Sequence, residues 1–181
     1  MDEERAWIEQ ALTGDQSAFT NLVRAYERPV YNLAYRLLND SVEAEDAAQE
    51  TFLRAYNKLA TYQPERKFVN WLLSIASHYC IDCLRRRGRG PQLSLDGPLP
   101  PQWLASDAQR PDQLVSRKQQ QEQVRQLLDA LEPAYRAAVV LRYWYDLSYE
   151  EIAETMGTTE SAIKSRLHRA RRMLAEHLQA A

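Results

Sequence analysis

An all-α fold in two small helical domains is predicted by three observations. Apolar residues recur at helical spacing through almost every segment, and residues 1–90 contain no segment with strand period. One stretch, Gly88 to Arg110, breaks every period and holds four of the chain's eight prolines, the composition of a linker. The third observation is a helical pair with a glycine turn near the C-terminal end. We place the first domain at 1–90, a flexible linker at 91–112 and the second domain at 113–181. With 181 residues and 45% apolar content, the chain can build a core in each half.

Glu3 to Leu12 reads as a short helix, which Gly14-Asp15 ends while capping the next. From Ser17 to Leu38, Phe19, Leu22, Val23, Tyr26, Val30, Leu33, Ala34 and Leu37 keep a helical period through Pro29, which predicts a kink or local break there. Asn39-Asp40 marks a turn, and Asp40 with Glu43 resembles a capping box for a third helix. That helix buries Ala44, Ala47, Ala48, Thr51, Phe52, Ala55 and Leu59. Its other face is acidic, with Glu43, Glu45, Asp46, Gln49 and Glu50, and suits docking onto a basic partner.

Thr61 to Lys67 is a loop broken by Pro64, and its Tyr, Gln, Arg and Lys are side chains suited to holding an unstacked base and its phosphates. A fourth helix runs from Phe68 to Arg87, with Trp71, Leu72, Ile75, Tyr79 and Leu84 expected in the core and cations at its C-terminus. Cys80 and Cys83 can share a face, but His78 lies well around the helix and no fourth ligand is near, so no metal or other cofactor is expected. In the connector, Leu93, Leu95, Leu99, Trp103 and Leu104 are apolar for a free linker and suggest that it lies in a groove when in use.

Pro111-Asp112 can open a helix reaching Leu131, and Glu132-Pro133 starts another, proline being favourable at a first helical position. The run Tyr143, Trp144, Tyr145 is too bulky to be buried entirely in a small core, and either a protein contact or aromatic packing explains it. Then comes a helix-turn-helix. Ser148 with Glu151 forms a capping box, Gly157 turns the chain, Thr158 or Thr159 caps the second helix, and Ile163, Leu167, Ala170 and Leu174 form its inner stripe. Ser161, Lys164, Ser165, His168, Arg171 and Arg172 point outward, on the element that DNA-reading motifs of this shape lay in the major groove.

Net charge is -2, so any attraction to nucleic acid must come from local clusters. Two stand out: Arg85, Arg86, Arg87 and Arg89, then Lys164, Arg166, Arg169, Arg171 and Arg172. With two cysteines, no signal peptide and no long apolar run, a reduced, soluble, cytoplasmic protein is expected. Three histidines, no glycine-rich phosphate loop and no nucleophile beside a base argue against an enzyme.

Three stretches, EAEDAAQETFLRAYNKL (43–59), RKFVNWLLSIASHYCIDCLRRR (66–87) and LSYEEIAETMGTTESAIKSRLHRARRML (147–174), closely resemble the extracytoplasmic-function sigma factors of bacterial RNA polymerase. The resemblance covers nearly the whole chain outside the linker and implies a sigma-two and a sigma-four domain. It implies that Asp46, Gln49 and Glu50 dock on the clamp helices of the polymerase large subunit. It also implies that Tyr62, Gln63, Arg66, Lys67, Phe68, Asn70, Trp71, Ser74 and His78 meet the non-template strand of the minus-ten element. Arg85, Arg86 and Arg87 would hold phosphates there.

In the second domain, Ser161, Lys164, Ser165 and His168 would read or flank minus-thirty-five bases, while Arg166, Arg169 and Arg172 steady the backbone. Tyr135, Val139 and Tyr143 would bind the flap of the other large subunit, and the linker would thread toward the active-site channel. Implied partners are core polymerase, promoter DNA and an anti-sigma factor responding to envelope or other stress, with no small-molecule substrate and a monomer when free. Two departures bear on base preference. His78 stands where the family commonly has Asn, and Ser161-Ala162 replaces a common Gly-Thr. The alternative is a polymerase-independent helix-turn-helix regulator, which would need an effector domain of alternating strands and helices in front.

Overall fold

The computed structural model describes residues 2–88 and 121–180. The linker expectation, Arg89, and the opening of the helix at Pro111-Asp112 lie outside the described residues. In order, the chain forms α1 (Asp2–Leu12), α2 (Gln16–Leu38), α3 (Ser41–Lys58), a 3₁₀ turn (Leu59–Thr61) and α4 (Phe68–Arg87). The second half forms α5 (121–129), α6 (Pro133–Trp144), α7 (Tyr149–Thr155) and α8 (Glu160–Ala180). Among the described residues there is no strand, and no helix is long and apolar enough to cross a membrane.

Helix ends follow local chemistry. The Asp15 carboxylate accepts from the backbone N–H groups of Ser17 and Ala18 and caps α2. Asn39 ends that helix in the left-handed conformation, φ 56°, its N–H donating to Tyr35 O. Asp40 caps α3 by accepting from Glu43 N. The expected box has a different outer half, because the Glu43 carboxylate pairs with Arg87 at the end of α4.

Pro29 lies inside an unbroken α2, so of the two expected outcomes, a kink or a break, the break is overturned. The missing donor removes one ladder bond, while the apolar stripe on either side of Pro29 keeps packing: Leu22, Val30, Leu33, Ala34 and Leu37 are all buried.

α2 is the centre of the first half, packed by α1, α3 and α4. The second half closes α6, α7 and α8 around Ala138, Leu141, Ile152, Ile163, Leu167 and Ala170. The two halves also touch. α6 packs on α2 and α4, and α7 packs on α4. Tyr145 donates its hydroxyl to Pro29 O at 2.6 Å, and the Arg36 guanidinium lies 4.8 Å from the Trp144 ring centre. Part of the aromatic run is thus explained by a contact with the chain's own first half.

At the centre of this interface is Arg136, 6% exposed. It donates to Leu37 O at 2.7 Å and to Asp129 O at 3.1 Å, and pairs with the Asp129 carboxylate at 2.8 Å. Burial pulls its pKa down, and the Asp129 charge opposes that pull. Arg87 supplies Leu38 O at 2.9 Å, and Asn39 Nδ2 donates to Asp129 at 2.8 Å. The last carbonyls of α2 are therefore satisfied by cations from two other helices.

Candidate nucleic-acid interface

Two surfaces carry the expected DNA-binding residues, and the first is built on the entry to α4. Tyr62 N–H donates to Leu59 O, and the Tyr62 hydroxyl donates to Arg66 O at 2.5 Å, closing the loop on itself. Its ring meets Phe68 edge-on at 5.2 Å and Trp71 at 5.5 Å, and Phe68 and Trp71 are 5.5 Å apart. Phe68 is only 1% exposed and also packs against Tyr26. This corrects its expected place on the DNA-facing surface: Phe68 is the buried floor on which Tyr62 and Trp71 are set. Trp71, Ile75, Tyr79 and Leu84 are half-buried, whereas Leu73, Ala76, Ser77, Cys80 and Ile81 take the core positions beside Leu72. The buried stripe lies about one position round from the expected one.

Gln63, Arg66, Lys67 and His78 are exposed and Asn70 half-exposed along one side of this entry. The Ser74 hydroxyl donates to Trp71 O at 2.7 Å, so it is already engaged by its own helix. His78 Nδ1 lies 2.7 Å from Ser74 O; a carbonyl can only accept, so this nitrogen carries the proton, and Nε2 lies 3.9 Å from where a Cβ on Gly157 would stand. Arg85 and Arg86 are exposed beyond it, with Arg86 reaching Cys83 Sγ at 3.2 Å. Arg87 differs, since its guanidinium is held by Leu38 O and Glu43, so it braces the fold instead of standing free for a phosphate. Cys80 is buried, which pushes its thiol well up. Among the described residues no group of three or more His, Cys, Asp or Glu is placed to hold a metal.

The second surface is the helix-turn-helix. Ser148 Oγ accepts from Glu151 N at 3.1 Å while the Glu151 carboxylate accepts from Ser148 N at 2.9 Å, a complete capping box. Ser148 N–H is the first cause, and the Lys67 ammonium the second, of a Glu151 pKa held below the usual carboxylate range. Gly157 has φ +59°, and the bonds from Gly157 N to Glu154 O and from Thr158 N to Ala153 O close the turn as a Schellman motif. Thr159 caps α8 by accepting from Ala162 N.

Ile163, Leu167 and Ala170 are buried, which leaves Ser161, Lys164, Ser165, His168, Arg169 and Arg172 exposed and Arg166 half-exposed. Lys164 pairs with Glu160 at 2.6 Å, and Arg172 with Glu176 at 3.5 Å. Both are surface pairs, easily exchanged for phosphate.

A third region, on α2 and α3, is acidic and apolar. Asp46 and Gln49 are exposed, and Glu50 is half-exposed and paired with Arg54 at 2.7 Å. Gln49 lines a groove of about 430 Å³ with Val23, Glu27, Tyr31, Glu45, Ala48 and Phe52, and the apolar side chains of Val42, Leu53 and Tyr56 stand exposed on the same helix. On α6 the expected trio divides. Tyr143 is 55% exposed, Tyr135 is half-buried and accepts from Arg169 at 3.5 Å, and Val139, at 4% exposed, is a core residue. Val139 follows Ala138 and precedes Val140 and Leu141, all buried, so the short helix is apolar around most of its circumference.

The model of sigma-70 region 2 matches residues 22–90, and that of sigma-70 region 4 matches residues 121–174. Together they take in both candidate surfaces. Over 95% of both chains, the protein is 34% identical to the ECF RNA polymerase sigma factor SigW of Bacillus subtilis.

The chain belongs to the ECF sigma factors of RNA polymerase.

It is also 38% identical to the ECF sigma factor SigE of Mycolicibacterium smegmatis over 92% of its own length, while spanning 65% of that relative. The fold is similar to that of CnrH, solved in complex with the cytosolic domain of CnrY, with a TM-score of 0.71, 24% identity and 99% of each chain covered. It is similar as well to the sigma factor RpoE of Bartonella quintana, solved with the anti-sigma factor NepR, with a TM-score of 0.66, 24% identity and coverage of 89% of this chain and 96% of that one.

The Arg136–Leu37 and Glu151–Lys67 contacts were missed by sequence reasoning. No local signal marks them, because each joins residues far apart in the chain.

Proposed function

We propose that this sigma factor docks on core RNA polymerase through Asp46, Gln49 and Glu50 of α3 and through Tyr135 and Tyr143 of α6. The α4 entry, with Tyr62, Gln63, Arg66, Lys67, Asn70, Trp71 and His78, takes the non-template strand of an opened minus-ten element. There an unstacked base gains aromatic contact in exchange for lost base stacking. Arg85 and Arg86 hold phosphates beside it. α8 lies in the major groove of the minus-thirty-five element, with Ser161, Lys164, Ser165 and His168 at base edges and Arg166, Arg169 and Arg172 on the backbone. The protein acts in the cytoplasm beside the polymerase, carries no catalysis of its own, and is restrained by an anti-sigma factor that covers its polymerase-binding faces.

The observation that carries this reading is the pairing, in one chain, of an aromatic and basic helix entry with a complete helix-turn-helix, each inside its family-matched segment. Run-off transcription with purified core polymerase, with and without the protein, tests it. Discrete starts that appear only with the protein are expected, and their alignment gives the promoter. Clean footprints by the protein alone, with no stimulation of core, would instead establish a polymerase-independent regulator.

A further inference from the structure

Where the end of α6 meets α2, hydrogen-bond donors gather without acceptors. Arg28, Asn32 and Arg36 stand four residues apart on α2, so they share one face at successive turns. With Pro29, Trp144 and Tyr145 they line a cavity of about 230 Å³. Among the described residues, none of these three polar side chains forms a hydrogen bond or an ion pair, and no carboxylate lines the cavity.

Other cations where the two halves meet are matched. Arg66 lies beside Glu154, Lys67 beside Glu151 and Arg136 beside Asp129. Arg36, half-buried, has instead the Trp144 ring, whose centre is 4.8 Å from the guanidinium carbon. A ring face attracts the charge but leaves five N–H donors without an oxygen. Burial pulls the Arg36 pKa down, and what opposes that pull is the Tyr145 hydroxyl, not a carboxylate.

We propose that this pocket binds a small nucleoside phosphate, its phosphoryl oxygens against Arg28, Asn32 and Arg36 and its base against Trp144. Two guanidinium groups with an amide between them spread donors along two turns of helix, which a chain of phosphoryl oxygens matches better than a single carboxylate. The facing wall is aromatic. Tyr145 is fixed by its bond to Pro29 O at 2.6 Å, and Trp144 keeps 38% of its surface exposed, which leaves ring area for a planar base. None of these residues belongs to the α3 docking face, the α4 entry or α8, so the site does not depend on the DNA reading.

The test titrates ADP and GDP, and separately pyrophosphate, into the full-length free protein by isothermal calorimetry at low salt. Arg28→Gln/Arg36→Gln removes both charges. Arg28 is exposed, so Arg28→Gln alone serves if the double variant unfolds. Arg5→Gln/Lys58→Gln, at two exposed positions outside the pocket, makes the same change in net charge. Trp144→Leu removes the stacking surface.

A nucleoside diphosphate is expected to bind wild type, and the double arginine variant to weaken it about tenfold or more, as the loss of charge-assisted hydrogen bonds requires. Trp144→Leu should weaken the nucleotide about fivefold and leave pyrophosphate unchanged. The Arg5/Lys58 control should match wild type. No binding of either nucleotide at millimolar concentration, or equal weakening by the control, would overturn the proposal. So would pyrophosphate binding as tightly as the nucleotides, since the base would then make no contact. A single-stranded oligonucleotide that displaces ADP and loses its own affinity in the arginine variants would assign these donors to a nucleic-acid strand and end the small-ligand reading.

Discussion

The Glu151 carboxylate caps its own helix through Ser148 N–H and, 84 and 81 residues away in sequence, accepts from Lys67 and Asn70. One side chain thus serves local helix formation and the contact between the two halves. Its two uses separate by substitution. Glu151→Ala removes both and is expected to cost about 1 kcal/mol through the lost cap, whereas Glu151→Gln keeps the cap. Thermal unfolding of the two variants checks this, and equal destabilisation would show that the charge, and not the cap, dominates.

Acid should loosen the protein in a defined window. Asp15 is held low by the Ser17 hydroxyl and then by the Ser17 and Ala18 N–H groups, and Glu151 is held low by Ser148 N–H and then Lys67. Groups with folded values below their unfolded ones contribute stability that is fully present above the unfolded value and is lost as pH falls through the folded one. Urea midpoints measured from neutral pH downward should therefore stay level until the ordinary carboxylate range and then fall. Asp15→Asn and Glu151→Gln should flatten that fall.

Phe68→Ala should be among the most damaging single changes, costing about 3–5 kcal/mol, since a fully buried ring is lost. Tyr62 and Trp71 would lose their shared support. Denaturant unfolding measures the loss. A change under about 1 kcal/mol would mean that the ring is not the floor of the loop.

Reversing Asp46 and Glu50 to Lys should weaken co-purification with core polymerase while single-strand and duplex affinities hold. Glu50→Lys also frees Arg54 from its 2.7 Å pair, a surface contact worth about 0–1 kcal/mol. A folding defect should not accompany the lost docking.

Lys164→Ala or His168→Ala should change which upstream element is used and leave polymerase binding intact. Both side chains are exposed on α8, and a good base contact is worth about 1–3 kcal/mol of discrimination. Equal loss of polymerase binding and promoter use would remove α8 from the reading role.

Much was legible in the sequence because the deciding forces act within a few residues. The caps at Asp15, Asp40 and Ser148, the left-handed turn at Gly157 and the inner stripe of α8 each depend on side chains and backbone groups less than two turns apart. What only the tertiary structure decided are the roles of side chains whose partners come from distant parts of the chain. Phe68 and Val139 belong to the core because other helices close over them. Arg87 and Arg136 are braces because the ends of α2 and α3 present acceptors there. Lys67 and Arg66, just before α4, are paired while still exposed because a helix capped for its own local reasons also presents two carboxylates to them. Periodicity reports which face of a helix is apolar; which polar neighbour arrives opposite the other face depends on packing at long range.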